Sequence, residues 1–236
     1  MRSYLFATLT ACGLFVAATA TPAARAATLY DTTGGGTHTN GFGPAPMLDD
    51  ATLAGGGATI TAMNFGWHNS STTAESVDAV VTFWDNMNVD ASGSTIVNSS
   101  NLGSFTKTIG SVAGSSTGSV GLFNLPTPIT VADGNLGVEI DYVFTGTSDP
   151  ADVDALLSTT LPSVGNTADK FWSDSNDGSF QGSEAVIFNP NNPTLHANFY
   201  LRLDGTPLPE PASALGATLT GLLLLKRRRR PTRRAV

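Results

Sequence analysis

Cysteine is nearly missing from these 236 residues: the chain has one, Cys12, inside an apolar run near its start. Leu9-Thr10-Ala11-Cys12 has the outline of a lipobox, but more apolar sequence follows, so we read Cys12 as part of a leader segment. From residue 27 onward no disulfide can form, and the fold must rest on a hydrophobic core, for which about 180 residues suffice. Positive charge is almost as scarce. Nine of the twelve Lys and Arg crowd the two ends of the chain, leaving Lys107, Lys170 and Arg202 against eighteen carboxylates in residues 27–206. That stretch carries −15, against −7 for the whole chain, a field that repels nucleic acid and anionic lipid, so no nucleic-acid partner is expected. Only His38, His68 and His196 are present, none in an H-E-x-x-H or H-x-H arrangement, so no zinc site is expected. There is no G-x-S-x-G nucleophile elbow and no internal repeat, and the expectation is a protein that is not an enzyme.

What is present begins at the ends. Met1-Arg2, an apolar stretch over 4–20 and the small residues Ala24 and Ala26 form a secretory signal peptide over 1–26, with Ala27 as the mature N-terminus. Residues 27–206 form one ectodomain. After it comes a three-part tail over 207–236: Leu208-Pro209-Glu210-Pro211, an apolar segment over 212–225, then Lys226, Arg227, Arg228, Arg229 and Arg230. The fourteen residues 212–225 make a helix of roughly 21 Å, short against a hydrocarbon core of about 30 Å. Such a short transmembrane helix suits a transient anchor, with the cations as its cytoplasmic stop. Pro209 and Pro211 keep Glu210 on extended backbone, where a partner can read it.

In its order and its terminal position, this tail resembles the PEP-CTERM sorting signal. The resemblance covers about thirty residues, with the signal peptide as its companion. It implies recognition of Pro209, Glu210 and Pro211 by an exosortase-like membrane peptidase, in a bacterium with a Gram-negative-type envelope. It further implies a cell-surface or extracellular-matrix destination, with the precursor held in the inner membrane by its C-terminus, and an association with extracellular polysaccharide and biofilm.

The ectodomain reads as all-β. Leu136, Val138, Ile140, Tyr142 and Phe144 alternate with mostly polar neighbours, as do Leu195, Ala197, Phe199, Leu201 and Leu203. Val77, Ala79, Val81 and Phe83 form a third inward set, and Met63, Phe65 and Trp67 a fourth with Ile60 and Ala62 on the opposite face. Strands are expected near 28–30, 58–67, 77–85, 94–97, 104–109, 119–123, 129–131, 136–145, 184–188 and 195–204. Glycine, asparagine and proline clusters separate them. Ten short strands without helical crossovers predict a single antiparallel β-sandwich or jelly-roll-like domain. One helix is expected over 150–157, with Asp149 as cap and Pro150 in the first turn. The Ser/Thr/Gly-rich stretch 110–119 is expected to be a hairpin tip.

Candidate sites are few. Asp174, Asn176 and Asp177 resemble a calcium loop whose Gly178 comes one place early, and Asn86, Asn88 and Asp90 another that lacks its glycine. Asp149, Asp152 and Asp154 offer a third acidic group; solvated turns explain all three equally. Glu139 and Asp141 share one strand face and have the residue types of a glycosidase pair, whereas His196, Arg202 and Asp204 share a polar face. Of Trp67, Trp84 and Trp172, the last runs straight into an acidic turn and is the candidate for stacking on a sugar; core packing is the ordinary fate of such a residue. Two functions stay open: a structural or adhesive matrix component, and a calcium-assisted, lectin-like carbohydrate-binding module.

Overall fold

A computed structural model describes residues 26–38, 46–85, 100–146, 152–167, 171–173, 184–186 and 198–209. The signal peptide and the sorting tail beyond Pro209 lie outside them, as does the expected strand at 94–97. The strands run β1 Ala27–Asp31, β2 Thr37–His38, β3 Met47–Thr52, β4 Ala58–Asn69 and β5 Glu75–Asp85. They continue with β6 Ser100–Val112, β7 Ser116–Ser119, β8 Phe123–Val131, β9 Asn135–Phe144 and β10 Val153–Ala155. Last come β11 Leu157–Ser158, β12 Phe171–Ser173, β13 Glu184–Val186, β14 Asn198–Phe199 and β15 Leu201–Pro207. Every named pairing is antiparallel, and among the described residues there is no helix.

Two six-stranded sheets share one core. The first has the order β1-β15-β4-β10, with β8 and β7 on the other edge of β4; the second runs β13-β12-β3-β9-β5-β6. A small sheet, β14-β11-β2, lies beside them. Strict alternation places Val77, Ala79, Val81 and Phe83 of β5, and Leu136, Val138 and Ile140 of β9, in the core at 1 % exposure or less. Opposite them stand Leu29 of β1, Met63 and Phe65 of β4, Val131 of β8, and Leu201 and Leu203 of β15.

On β4 a bulge changes the expected pattern. The pairing slips between Ile60 and Ala62 toward β8 and at the same point toward β15, leaving Thr61 as the extra residue. One inserted residue shifts the side-chain phase by one, so Ala58 and Ile60 before the bulge face the same core as Met63 and Phe65 after it. Ile60 therefore packs in the same core as Met63 and not on a separately covered face.

Three further expectations are corrected. Residues 153–158 are strand, not helix: Val153, Asp154 and Ala155 pair with Asn69, His68 and Trp67 of β4. Hydrogen bonds to β4 satisfy the backbone there, so a local helix has nothing to add. The stretch 110–119 is not a hairpin tip; it carries the chain from β6 in one sheet to β7 in the other. The expected strand at 119–123 is split by a link, with Gly121 at φ +69°, between β7 and β8.

Strand β3, Met47-Leu48-Asp49-Asp50-Ala51-Thr52, was not expected. Asp49 faces the core beside Met47 and Ala51 and is 1 % exposed. Its Oδ2 accepts the Phe199 backbone N–H at 2.7 Å, and Thr32 Oγ1 accepts that of Leu201 at 2.8 Å. These bonds satisfy backbone groups where β14 gives way to β15. The domain's first and last strands also pair, Ala27 standing opposite Gly205.

Candidate functional site

A concavity among the described residues lies on the open side between the sheets. It is a groove of about 320 Å³ lined by Trp67, Lys107, Ile109, Ser111, Ser119 and Val120. Strand β6 is the last of its sheet, and its inward side chains reach across toward β4 and β8. A chain of rings joins the sheets there: Phe83 to Phe105 at 6.2 Å, Phe105 to Phe123 at 6.0 Å, and Phe123 to Phe65 at 6.1 Å. The last two meet edge to face, the preferred aromatic geometry. Beside these rings, Lys107 Nζ stands 4.7 Å from the centre of the Phe123 ring, a cation–π contact that holds the ammonium.

Trp67 is half-buried and lies against Gly118, its ladder partner on β7. A Cβ at Gly118 would come within 2.4 Å of Trp67 Cζ2, so glycine there makes room for the indole. An indole, a fixed ammonium and the Ser111 and Ser119 hydroxyls around one groove offer stacking and polar contacts to a ring-shaped polar ligand.

Behind β4 lies a second constellation. His68 Nδ1 and Asp154 Oδ1 are 3.0 Å apart, with side chains 14 % and 2 % exposed. Thr117 stands across the ladder on the other side of His68, giving the row Asp154–His68–Thr117 over three strands. A pocket of about 180 Å³ beside it is lined by Thr37, Thr117, Ser119, Leu156 and Tyr200. No hydrogen bond links His68 to Thr117 among the described residues, and the pair clasps β10 to β4. One turn along, three backbone bonds close a ring: Gly66 N to Tyr200 O, Tyr200 N to Leu156 O, and Leu156 N to Gly66 O, at 2.9, 2.8 and 3.2 Å. From the opposite sheet, the Tyr142 hydroxyl donates to the same Gly66 carbonyl at 2.7 Å. Burial raises the Tyr142 phenol well above its ordinary pKa, and the Asp154 charge pushes it the same way.

Few of the residues singled out from the sequence converge. Trp172 is buried, 1 % exposed, and so offers no ring face as a sugar platform. Trp84 is half-buried and donates its Nε1–H to Glu139 Oε2 at 2.9 Å. Glu139 is engaged there, while burial raises the neighbouring Asp141 carboxyl above its ordinary value. Arg202 and Asp204 form a two-bond ion pair at 2.9 and 3.0 Å. Asp154 turns to His68, so Asp152 and Asp154 do not form a joint cation site. Among the described residues there is no group of three or more His, Cys, Asp or Glu that could hold a metal.

The candidate calcium residues Asp174, Asn176 and Asp177, and likewise Asn86, Asn88, Asp90, Asp149 and His196, lie outside the described residues. So do Ala24, Glu210, Pro211 and the cluster from Lys226 to Arg230. Ala26, Ala27 and Pro209 are exposed. Among the described residues no helix is long and apolar enough to cross a membrane. Neither the groove nor the histidine clasp was named from the sequence, because β-pairing brings Trp67 to Lys107 and His68 to Asp154 from distant parts of the chain. Comparison with family models, curated proteins and solved structures found no match for the chain.

Proposed function

We propose that this chain is an exported protein of the cell surface or extracellular matrix of a Gram-negative-type bacterium. Its ectodomain, a β-sandwich of jelly-roll-like character, acts as a structural or adhesive component linked to exopolysaccharide. The observation that carries this reading is the order Pro209-Glu210-Pro211, apolar segment and arginine cluster, which an exosortase-like peptidase would recognise after export. The fold is compatible with that route. Ala27 opens β1 opposite Gly205 near the end of β15, so cleavage beyond each point leaves the shared ladder intact.

The test is the intact mass of the protein from its native host, measured separately in membrane and released fractions. Loss of residues 1–26 and of everything beyond the Pro-Glu-Pro motif in the released form supports the sorting route. An unprocessed tail in the membrane fraction overturns it and leaves a tail-anchored surface protein.

A second reading, a carbohydrate-binding module, is favoured by the groove, where Trp67 and Lys107 are held by Gly118 and Phe123. It moves the sugar contact from Trp172 to Trp67. The calcium residues expected with it, Asp174, Asn176 and Asp177, lie outside the described residues. The two readings are compatible, since a matrix component linked to polysaccharide needs a surface that holds it.

A further inference from the structure

The charge of the groove is at odds with that of the domain around it. Residues 27–206 carry three cations against eighteen carboxylates. Of the two cations described, Arg202 is engaged by Asp204 through two hydrogen bonds. Lys107 makes no ion pair with any described carboxylate; its ammonium lies over the Phe123 ring, and the residue is part of the groove wall.

Among the described residues, the acids of the neighbouring strands are turned away, engaged or buried. Asp78 follows Val77 and precedes Ala79 of the inward set on β5, so it stands on the outer face, as do Glu139 and Asp141 on β9. Asp154 faces His68, and Glu75 is buried with Oε1 accepting from Thr73 Oγ1 at 3.0 Å. At physiological salt the Debye length is about 8 Å, so charges beyond the groove walls are screened while a contact pair with Lys107 is not.

We propose that this groove takes an anionic sugar, a hexuronate unit of an acidic polysaccharide, with its carboxylate on Lys107 and a pyranose face on Trp67. The proposal rests on the carbohydrate-binding reading and names the sugar class for it. A neutral hexose uses the indole and the hydroxyls but leaves the one unpaired cation of the groove facing water. A hexuronate adds one carboxylate on the same ring, which matches a single ammonium beside a single indole. The groove volume falls at the lower end of the range for small-molecule sites, roughly 300–1,000 Å³, as suits a short stretch of a longer chain.

The test uses the protein as isolated from its host, titrated by calorimetry with an oligogalacturonate and with the methyl-esterified form of the same oligomer. The expected result is that the acid form binds roughly 2–5-fold more tightly at low salt, the gain of one partly exposed ion pair. That preference shrinks at 0.5 M salt, vanishes in Lys107→Met and is kept in Lys107→Arg. Trp67→Ala weakens both oligomers, with circular dichroism checking that each variant folds. Equal affinity for the two oligomers, both lost in Trp67→Ala, overturns the anionic preference while the carbohydrate reading stands. Binding of neither oligomer overturns both.

Discussion

Gly66→Ala probes the point where β4 meets the β10–β11 and β14–β15 links and the opposite sheet. Gly66 is glycine for space and not for backbone angle: a Cβ there would lie 2.9 Å from both Cβ and Cδ2 of Leu156 and 3.1 Å from Cβ of Tyr200. The Leu156 Cδ2 methyl can rotate aside, but the two Cβ atoms cannot move without their backbones. Those backbones are the other corners of the hydrogen-bonded ring. Overpacking of this kind costs about 1–3 kcal/mol. Stretching the Tyr142 bond to the Gly66 carbonyl adds about 1 kcal/mol, and the stiffer unfolded chain returns about 0.5–1 kcal/mol. The net loss is about 1–3.5 kcal/mol, which in a domain of this size lowers Tm by roughly 2–14 °C. Urea and thermal unfolding followed by circular dichroism measure it. Gly34→Ala is the control, because its new Cβ meets nothing within 4 Å, and it should stay within about 0.5 kcal/mol of the parent. Should Gly66→Ala melt with Gly34→Ala, the junction is looser than described and the reasoning fails.

Other perturbations separate the remaining parts of the account. Burial raises the Asp141 carboxyl, so its contribution to stability is complete below the ordinary carboxylate pKa and is lost as pH rises through the raised folded value. Asp141→Asn should therefore stabilise the fold at pH 7 and change it little at pH 3; the same effect at both pH values would contradict this. Asp154→Ala leaves a mostly buried imidazole without its acceptor and should cost about 1–3 kcal/mol, and a double-mutant cycle with His68→Ala should show coupling between them. Independent effects in that cycle would mean the two do not clasp β10 to β4. Gly118→Ala should displace the indole of Trp67 and shift its fluorescence; an unchanged spectrum would show that the ring does not rest on β7.

Strands β5 and β9 were legible in the sequence because nothing interrupts their alternation: each pairs along its length with antiparallel neighbours and turns one face to the core. Strand β3 was not, since two aspartates stand where apolar residues would mark it. Asp49 is inside because Phe199 N–H needs an acceptor 150 residues away, a demand no local pattern records. The segment 150–157 looked helical from Asp149 as its cap and Pro150 in its first turn; cross-strand bonds from 153–155 to β4 outweigh those local preferences. Thr61 shows the same limit on a smaller scale, since one bulged residue turns two apparent faces of β4 into one.

The groove was legible in part. All three tryptophans stood out in the sequence, and the scarcity of cations made Lys107 conspicuous. Only the pairing of β4 with β7, and the reach of β6 toward β8, sets Trp67 beside Lys107. Trp172 ranked first because of the acidic turn beside it, and burial at 1 % removes its ring from contact with a ligand.

The most direct measurement is co-sedimentation of the isolated protein with exopolysaccharide purified from the same host, comparing the parent with Trp67→Ala and Trp172→Phe. If the matrix role works through the groove, the parent and Trp172→Phe pellet with the polysaccharide and Trp67→Ala stays in the supernatant. If Trp67→Ala pellets as fully as the parent, or the parent does not pellet at all, the groove does not connect this protein to polysaccharide.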